Sequence, residues 1–292
     1  MREESTDSYP QDSIYSGLTA VEVTEGVSRH GEVLEALDDL GAPRKKVDVK
    51  KSTFMLAQNS EEPFSDPAWI NEIKYDGYRL MGTRGPAGSD EGVRLVSRNG
   101  NNLTATFPEL ERALAGLPYP GVVLDGEVVV HDEHGLPSFG RLQRRGRLQR
   151  KTDVLRASVE LPATYYAFDL LAFDGYDLRG LPLLERKKLL RTILPSIGPI
   201  RYSDHIAEMG EAMFAQASQM RLEGVVAKRS DSVYRGGRSA NWLKVRTVQT
   251  DDFVIVGYTD AKGTRGGFGA LHLGQFEGDE LRYTGRVGTG FS

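Results

Sequence analysis

Short apolar runs rich in Val, Ile, Leu, Phe and Tyr recur at 69–74, 78–83, 93–97, 122–130, 163–173, 223–229 and 253–258. They do not alternate regularly with helices. Helical periods are confined to 28–40, 107–116, 183–194 and 208–221. A parallel doubly wound sheet needs a crossover helix between successive strands. The pattern therefore excludes that architecture and predicts an α+β fold built on antiparallel sheets.

The same scan divides the chain. Residues 1–27 are polar with no sustained period, which predicts a poorly ordered arm. In 28–40, Val33, Leu34, Leu37 and Leu40 fall on one face of a short acidic helix. The basic stretch from Arg44-Lys45-Lys46 to Lys50-Lys51 follows, so residues 1–50 read as an acidic arm and basic linker. The main domain is expected over 51–248. After it, Asp252–Tyr258, a Gly-rich turn at 263–269, Ala270–Phe276 and Leu281–Val287 form successive hairpin signals. These assign 249–292 to part of a small all-β barrel.

Charge and composition narrow the chemistry. Residues 1–40 hold ten Asp or Glu against two Arg, a net of -8, so the remainder carries +4 of the total -4. A mildly basic body is compatible with nucleic acid. With no cysteine, disulfides and thiolate zinc sites are excluded. No run approaches the roughly 18 apolar residues of a membrane span, and the acidic N-terminus is unlike a secretory signal. The expectation is an intracellular, cytoplasmic protein.

Several motifs carry candidate chemistry. Lys74 ends an apolar run within Glu72-Ile73-Lys74-Tyr75-Asp76-Gly77-Tyr78-Arg79 and precedes an Asp-Gly turn. By itself such a lysine is either a nucleophile or a surface residue before a hairpin turn. Arg79 supplies a planar donor set for a phosphate or ribose. Arg98, in Ser97-Arg98-Asn99-Gly100, puts a second arginine on a turn. Glu127, in Asp125-Gly126-Glu127, lies inside an apolar run and needs a partner, which a hard divalent metal or a ribose hydroxyl would provide. Tyr165-Tyr166-Ala167-Phe168-Asp169 offers aromatics for stacking a base, and Glu223-Gly224-Val225-Val226-Ala227-Lys228 adds another carboxylate. In Trp242-Leu243-Lys244-Val245-Arg246 the two-residue strand period aligns Lys244 with Arg246. The run from Arg141 to Lys151 holds six cations and no acid; it reads either as a solvated helix face or, preferably, as a DNA-backbone contact.

In this order the segments resemble the signature elements of the covalent nucleotidyltransferases, which include ATP-dependent DNA ligases, RNA ligases and capping enzymes. They are most similar to the ATP-dependent DNA ligases, specifically the ligase module of bacterial end-joining ligases, over about residues 52–292. The resemblance implies an adenylation domain over 51–248 followed by a partial OB-fold. It implies that Lys74 takes up AMP from ATP, that Glu72 reads the adenine amino group and that Phe168 stacks on the adenine, with Val225 also in the nucleotide pocket. Arg79 and Arg98 would hold ribose or phosphate, Arg98 lying near the nick 5′-phosphate. Glu127 would contact the ribose or a metal, Glu223 the metal, and Lys244 and Arg246 the α-phosphate. Mg2+ or Mn2+ is the implied metal, nicked or broken duplex DNA the substrate, Ku the candidate partner and a monomer the expected state.

Two departures qualify the resemblance. The family more often carries lysine at the position of Arg246. Its final basic element, in the distal barrel, has no candidate before Ser292. Weak self-adenylation is therefore expected, with joining of pre-adenylated nicks less impaired. The competing expectations are an RNA ligase or capping-type enzyme and a catalytically impaired DNA-end-binding module.

Overall fold

The structure is a computed structural model that describes residues 13, 18–25, 28–49, 53–85, 92–247, 252–260 and 268–288. The chain divides into two compact units at Thr247/Val248.

The first unit contains two mostly antiparallel sheets, as the irregular strand–helix pattern requires. One is five-stranded and consists of β1 (Met55–Asn59), β2 (Asp66–Ile73), β9 (Ile206–Glu208), β10 (Gly224–Arg229) and β11 (Gly237–Arg246), in the order β1-β11-β10-β2-β9. The other is six-stranded. Its order is β4 (Val93–Ser97), β3 (Tyr78–Arg84), β5 (Val122–Val130), β6 (Ala163–Phe173) and β7 (Tyr176–Asp177), with β8 (Ile200–Tyr202) running parallel to β6. The β1–β11 pair is also parallel.

Seven helices accompany the sheets among the described residues: α1 (Ala20–Thr24), α2 (Arg29–Asp39), α3 (Pro108–Ala115), α4 (Phe139–Gly146), α5 (Lys151–Glu160), α6 (Leu183–Ile193) and α7 (Gly210–Gln219). Local chemistry sets their ends. Pro108 occupies the first turn of α3 beside Glu109 and Glu111, where a missing N–H costs nothing and acids meet the positive helix end. Ser138 caps α4 by accepting the Arg141 N–H.

Three apolar clusters hold the layers together. The largest joins one face of the six-stranded sheet (Leu80, Leu124, Val128, Leu170) to α2, α3 and α6. A second lies where the two sheets meet and contains Met55 and Trp242 from one, with Met81, Val123 and Phe168 from the other. The third packs Ala217 of α7 against Val225 and Val245 on the far face of the five-stranded sheet.

The description of residues 1–50 as arm and linker is corrected here. Val33 and Leu37 of α2 are fully buried in the largest cluster, and Ala42 joins them. Val47 enters the cluster between the sheets. Tyr176 donates a hydrogen bond to Asp38 at 2.5 Å, and His30 meets Asp174 at 2.9 Å. Each buried aliphatic side chain contributes about 1.5–3 kcal/mol relative to exposure, so α2 belongs to the core. Of the expected disordered arm, residues 1–12, 14–17 and 26–27 lie outside the described residues, and Ala20–Thr24 is helical.

The second unit is an antiparallel meander of β12 (Val254–Asp260), β13 (Phe268–Glu277) and β14 (Glu280–Gly288). Register shifts at Ile255/Gly257 and Leu273/Gly274 bend it. The Gly-rich turn at 263–269 lies largely outside the described residues. No helix among the described residues is long and apolar enough to cross a membrane.

Candidate active site

Lys74 follows β2 directly, and its backbone N–H donates to the Gly224 carbonyl at 3.0 Å. That bond fixes the lysine beside the start of β10. Gly224 has φ +142°, and a Cβ there would strike the Val245 carbonyl oxygen. Only glycine admits this approach. Gly77 has a similar role. A Cβ on it would collide with the Val128 carbonyl and come within 2.8 Å of the Glu127 side chain. The Asp-Gly turn thus lets β5 close against the lysine loop.

The side chains then converge. Lys74 Nζ is ion-paired with Glu223, and Glu223 also accepts from Arg246 Nε at 3.4 Å. Lys244 lies on the same strand face as Arg246 and on the same face as Val226, its register partner. Burial holds the Lys244 ammonium below its ordinary pKa, helped by Arg246, Lys74 and Arg238. Burial also raises the Asp76 carboxyl, with Glu223 adding repulsion and Lys74 opposing it. The structure therefore brings together Lys74, Glu223, Lys244 and Arg246.

Glu127 is a strongly perturbed carboxyl. Burial raises it, Arg79 and Lys74 oppose, Asp125 and Glu223 reinforce, and the result is a pKa of about 8. Its folded pKa lies above the unfolded value, so protonation favours the fold. That stabilisation is complete below the ordinary carboxylate range and is lost as pH rises through about 8. Glu127→Gln, which mimics the protonated form, is therefore expected to gain stability relative to the parent on going from about pH 5 to about pH 9. Urea midpoints at the two pH values check this; a difference that does not change with pH removes Glu127 from the titration.

Arg79 and Phe168 sit deeper. Arg79 donates to both oxygens of fully buried Asp125, at 3.0 and 2.7 Å, and Tyr234 donates to the same carboxylate at 2.6 Å. The Arg79 guanidinium is thus engaged by a carboxylate and flanked by the rings of Phe54, Phe168 and Trp242. Phe168 packs edge-on to Trp242, with ring centroids 5.9 Å apart. Arg98 stands apart on the exposed turn after β4, one residue beyond Ser97, which pairs with Leu80. It makes no hydrogen bond or ion pair with the Lys74 cluster.

The placement of Val225 in the nucleotide pocket is corrected. Val225 is 1 % exposed and packs with Ala217, Leu222 and Val245 on the opposite face of the sheet. The neighbour that shares a face with Glu72 and Lys244 is Val226, which is in register with both.

Glu72 is 2 % exposed and lies in a charge cluster the sequence reading missed. Lys187 donates to its Oε1 at 2.7 Å and Lys228 to its Oε2 at 2.8 Å, while Ser203 Oγ lies 3.4 Å from Oε2. Burial alone would raise the Glu72 carboxyl, but the two ammoniums outweigh it and keep its pKa lowered. One signal for Lys187 was available. It sits among Leu183, Leu190 and Ile193 in the apolar stripe of α6, where a cation requires a buried partner.

The basic run from Arg141 to Lys151 is split. Arg145 is fully buried on Glu109 at 2.9 Å, and Arg141 pairs with Glu133. Arg144, Arg147, Arg150 and Lys151 remain exposed.

The chain is similar to known proteins. A family model described as the ATP dependent DNA ligase domain matches residues 54–246. The multifunctional non-homologous end joining protein LigD of Pseudomonas aeruginosa is 43 % identical over 229 residues, covering 77 % of this chain and 26 % of that protein. The SPbeta prophage-derived DNA ligase-like protein LigB of Bacillus subtilis is 33 % identical over 207 residues, 70 % of this chain and 71 % of that protein. Among solved structures, mycobacterial DNA ligase D complexed with ATP and MES is 34 % identical with a TM-score of 0.61 over 84 % of this chain and 75 % of that one. The ligase domain of M. tuberculosis LigD gives 36 % and 0.58 over the same shares. The C-terminal strands fit a partial OB-like fold. The chain spans between 26 % and 29 % of the length of the LigD relatives from Pseudomonas and Mycolicibacterium.

Proposed function

Since the chain belongs to the ATP-dependent DNA ligase domain family, we propose that it joins nicked or broken duplex DNA through an AMP carried on Lys74. The convergence of Lys74, Glu223, Lys244 and Arg246 is the observation that carries this reading. In the first step Lys74, its ammonium proton lost to solvent, attacks the α-phosphorus of ATP and the bond to pyrophosphate breaks, while Glu223 holds the lysine through their ion pair. In the second, the 5′-phosphate of the nick attacks the same phosphorus and frees the lysine. In the third, the 3′-hydroxyl attacks the activated 5′-phosphate and AMP departs.

Each step concentrates negative charge around phosphorus, so catalysis is chiefly positioning and charge stabilisation. Lys244 and Arg246 face the α-phosphate in this reading. Phe168 and Glu72 take the adenine, Arg79 orders the pocket through Asp125, and Arg98 receives the nick phosphate. Arg144, Arg147, Arg150 and Lys151 are suited to phosphates of the duplex, independent of sequence and weakened by salt.

The carboxylates fit a divalent cation. Glu223 raises both Glu127 and Asp76, a repulsion among hard oxygen donors that such a cation relieves. No group of three His, Asp or Glu side chains able to hold a metal occurs among the described residues. Glu127 and Glu223 would therefore hold Mg2+ or Mn2+ together with nucleotide phosphates, as Mg2+ commonly binds. When bound, it would neutralise charge on the phosphates.

The name of the Pseudomonas relative supports a role in non-homologous end joining; Ku as candidate partner and the cytoplasm as compartment rest on the resemblance alone. The test is intact mass after incubation with ATP and Mg2+. A gain of one adenylate mapping to Lys74 is expected. No gain, with nicked duplex still bound, would replace the ligase by an end-binding module.

A further inference from the structure

The basic segment Arg44-Lys45-Lys46 lies upstream of the matched family stretch, which begins at residue 54, and takes no part in the chemistry above. The fold nevertheless fixes its position. Asp177 donates its backbone N–H to the Pro43 carbonyl at 2.9 Å, and Arg44 forms an isolated bridge with Tyr176 of β7. The Arg44 guanidinium lies 4.4 Å from the centre of the Tyr176 ring. Val47 is buried in the cluster that contains Tyr234. Between these anchors Arg44, Lys45 and Lys46 are all exposed. Nearby acid is already engaged. Arg179 donates to both oxygens of Asp177, at 2.8 and 2.7 Å, and Asp38 accepts from Tyr176. Within 43–49 only Asp48 opposes the three cations.

The segment continues a row of cations that starts at the Lys74 cluster. The edge strand β1 runs parallel to β11, with Asn59 in register with Lys244 and Leu56 with Arg238. Gly236 lies so close to Thr53 that a Cβ there would strike it, which puts Arg235 beside the residue three before Leu56. At about 3.3 Å per residue, these three levels are about 10 Å apart. Arg238 and Arg235 are exposed. Tyr234, the residue before Arg235, donates its backbone N–H to the Arg179 carbonyl at 2.8 Å. Arg179 holds Asp177, and Asp177 holds Pro43, so the segment 44–46 lies just past Arg235. A small anion needs donors that converge on one point. These cations are spread over roughly 20 Å from Lys244 to Arg235 alone, which suits a repeating chain of phosphates.

We propose that Arg44, Lys45 and Lys46 form the outer end of a phosphate track for the arm of the duplex on one side of the nick, with Arg235 and Arg238 joining it to the Lys244 cluster. The proposal rests on the ligase reading above, because that reading sets a DNA phosphate at the inner end of the row. Contacts of this kind position the duplex and carry no sequence information. At 3.4 Å per base pair, roughly 20 Å of track corresponds to about six base pairs, so the segment 44–46 meets phosphates at or beyond that distance from the nick. Its anchors on β7 and in the core hold the three cations in place before DNA arrives.

The test is equilibrium binding of a nicked duplex by fluorescence anisotropy over a KCl series. The triple variant Arg44→Gln, Lys45→Gln, Lys46→Gln is expected to bind roughly tenfold or more weakly at low salt, with a slope of log affinity against log salt shallower by about 2–3. Its lysine adenylation from ATP is expected to stay at the parent level. The charge-keeping exchange Arg44→Lys, Lys45→Arg, Lys46→Arg is expected to restore parent binding. Shortening one arm of the duplex to about four base pairs is expected to erase the difference between parent and Gln variant, while shortening the other arm leaves it. An unchanged salt slope overturns the proposal. So does a loss that is the same whichever arm is shortened, since that reflects net charge alone. Polyglutamate bound by the parent as tightly as the duplex, with the same loss in the Gln variant, replaces DNA by an acidic protein partner. Should the triple variant not fold, Lys45→Gln with Lys46→Gln carries the test, with an expected slope change of about 2. A changed slope without lysine adenylation leaves this inference standing and sinks the transfer reaction; a parent that binds no nicked duplex sinks both.

Discussion

Lys74→Ala is expected to abolish AMP uptake and to lower nick sealing from ATP by on the order of 10⁴-fold or more, because no other group replaces a covalent nucleophile. Sealing of a nick supplied already adenylated is expected to fall far less, within about tenfold. That last step needs the cations and carboxylates around the nick but not the lysine as nucleophile. The two substrates also answer a structural objection. Removing Lys74 leaves Glu223 paired only with Arg246, at 3.4 Å, in a cluster that has lost a positive charge. If that rearrangement were the cause of the defect, both substrates would suffer alike. Gel assays with the two nicks decide between these outcomes, and ATP-dependent sealing by Lys74→Ala at the parent rate would remove Lys74 from the mechanism.

Asp169→Ala is expected to cost about 3–5 kcal/mol of folding stability. Asp169 and Arg186 are both fully buried and joined by two hydrogen bonds, at 2.7 and 2.8 Å. Arg186 also donates to the Leu181 carbonyl at 2.5 Å and the Ser232 carbonyl at 3.0 Å. Truncating the carboxylate strands a guanidinium in the core, where solvation cannot return. Replacing both residues by apolar ones of similar volume, Asp169→Leu with Arg186→Met, is expected to recover a large part of the loss. Urea denaturation of the three proteins tests this. A cost below about 1 kcal/mol for Asp169→Ala would mean that water reaches Arg186 after all. The adjacent Lys187 reaches Glu72, so two successive residues of α6 bind the strands carrying Phe168 and Glu72.

Much of this was legible in the sequence because backbone demands were strong there. The runs at 93–97, 122–130 and 163–173 are strands with those same limits. Their β-branched and aromatic content leaves little alternative, and in β5 the flanking valines bury both faces. Helix α5 was not read, and α4 only as one of two readings of the basic run. In α4, Gly140 and Gly146 lower helix propensity, and Arg145 occupies a core position, so the apolar stripe is broken. In α5 only Val154 and Ala157 are buried. Val225 was named where Val226 shares the face of Glu72, because β10 is buried on both faces and its period cannot say which face meets the nucleotide. The partners of Glu72 were hidden for another reason. Lys187 and Lys228 are 115 and 156 residues away from it in sequence, and only the tertiary fold brings them together.

Helix α2 has a practical meaning for anyone dissecting such enzymes. The family match begins at residue 54, yet Val33 and Leu37 fill the core beneath the six-stranded sheet. A fragment trimmed to the matched stretch would expose a raw apolar trench, and its stickiness could be mistaken for DNA or partner binding. A fragment that keeps this core whole has to include α2, and damage to that helix is expected to lower thermal stability before it alters the chemistry.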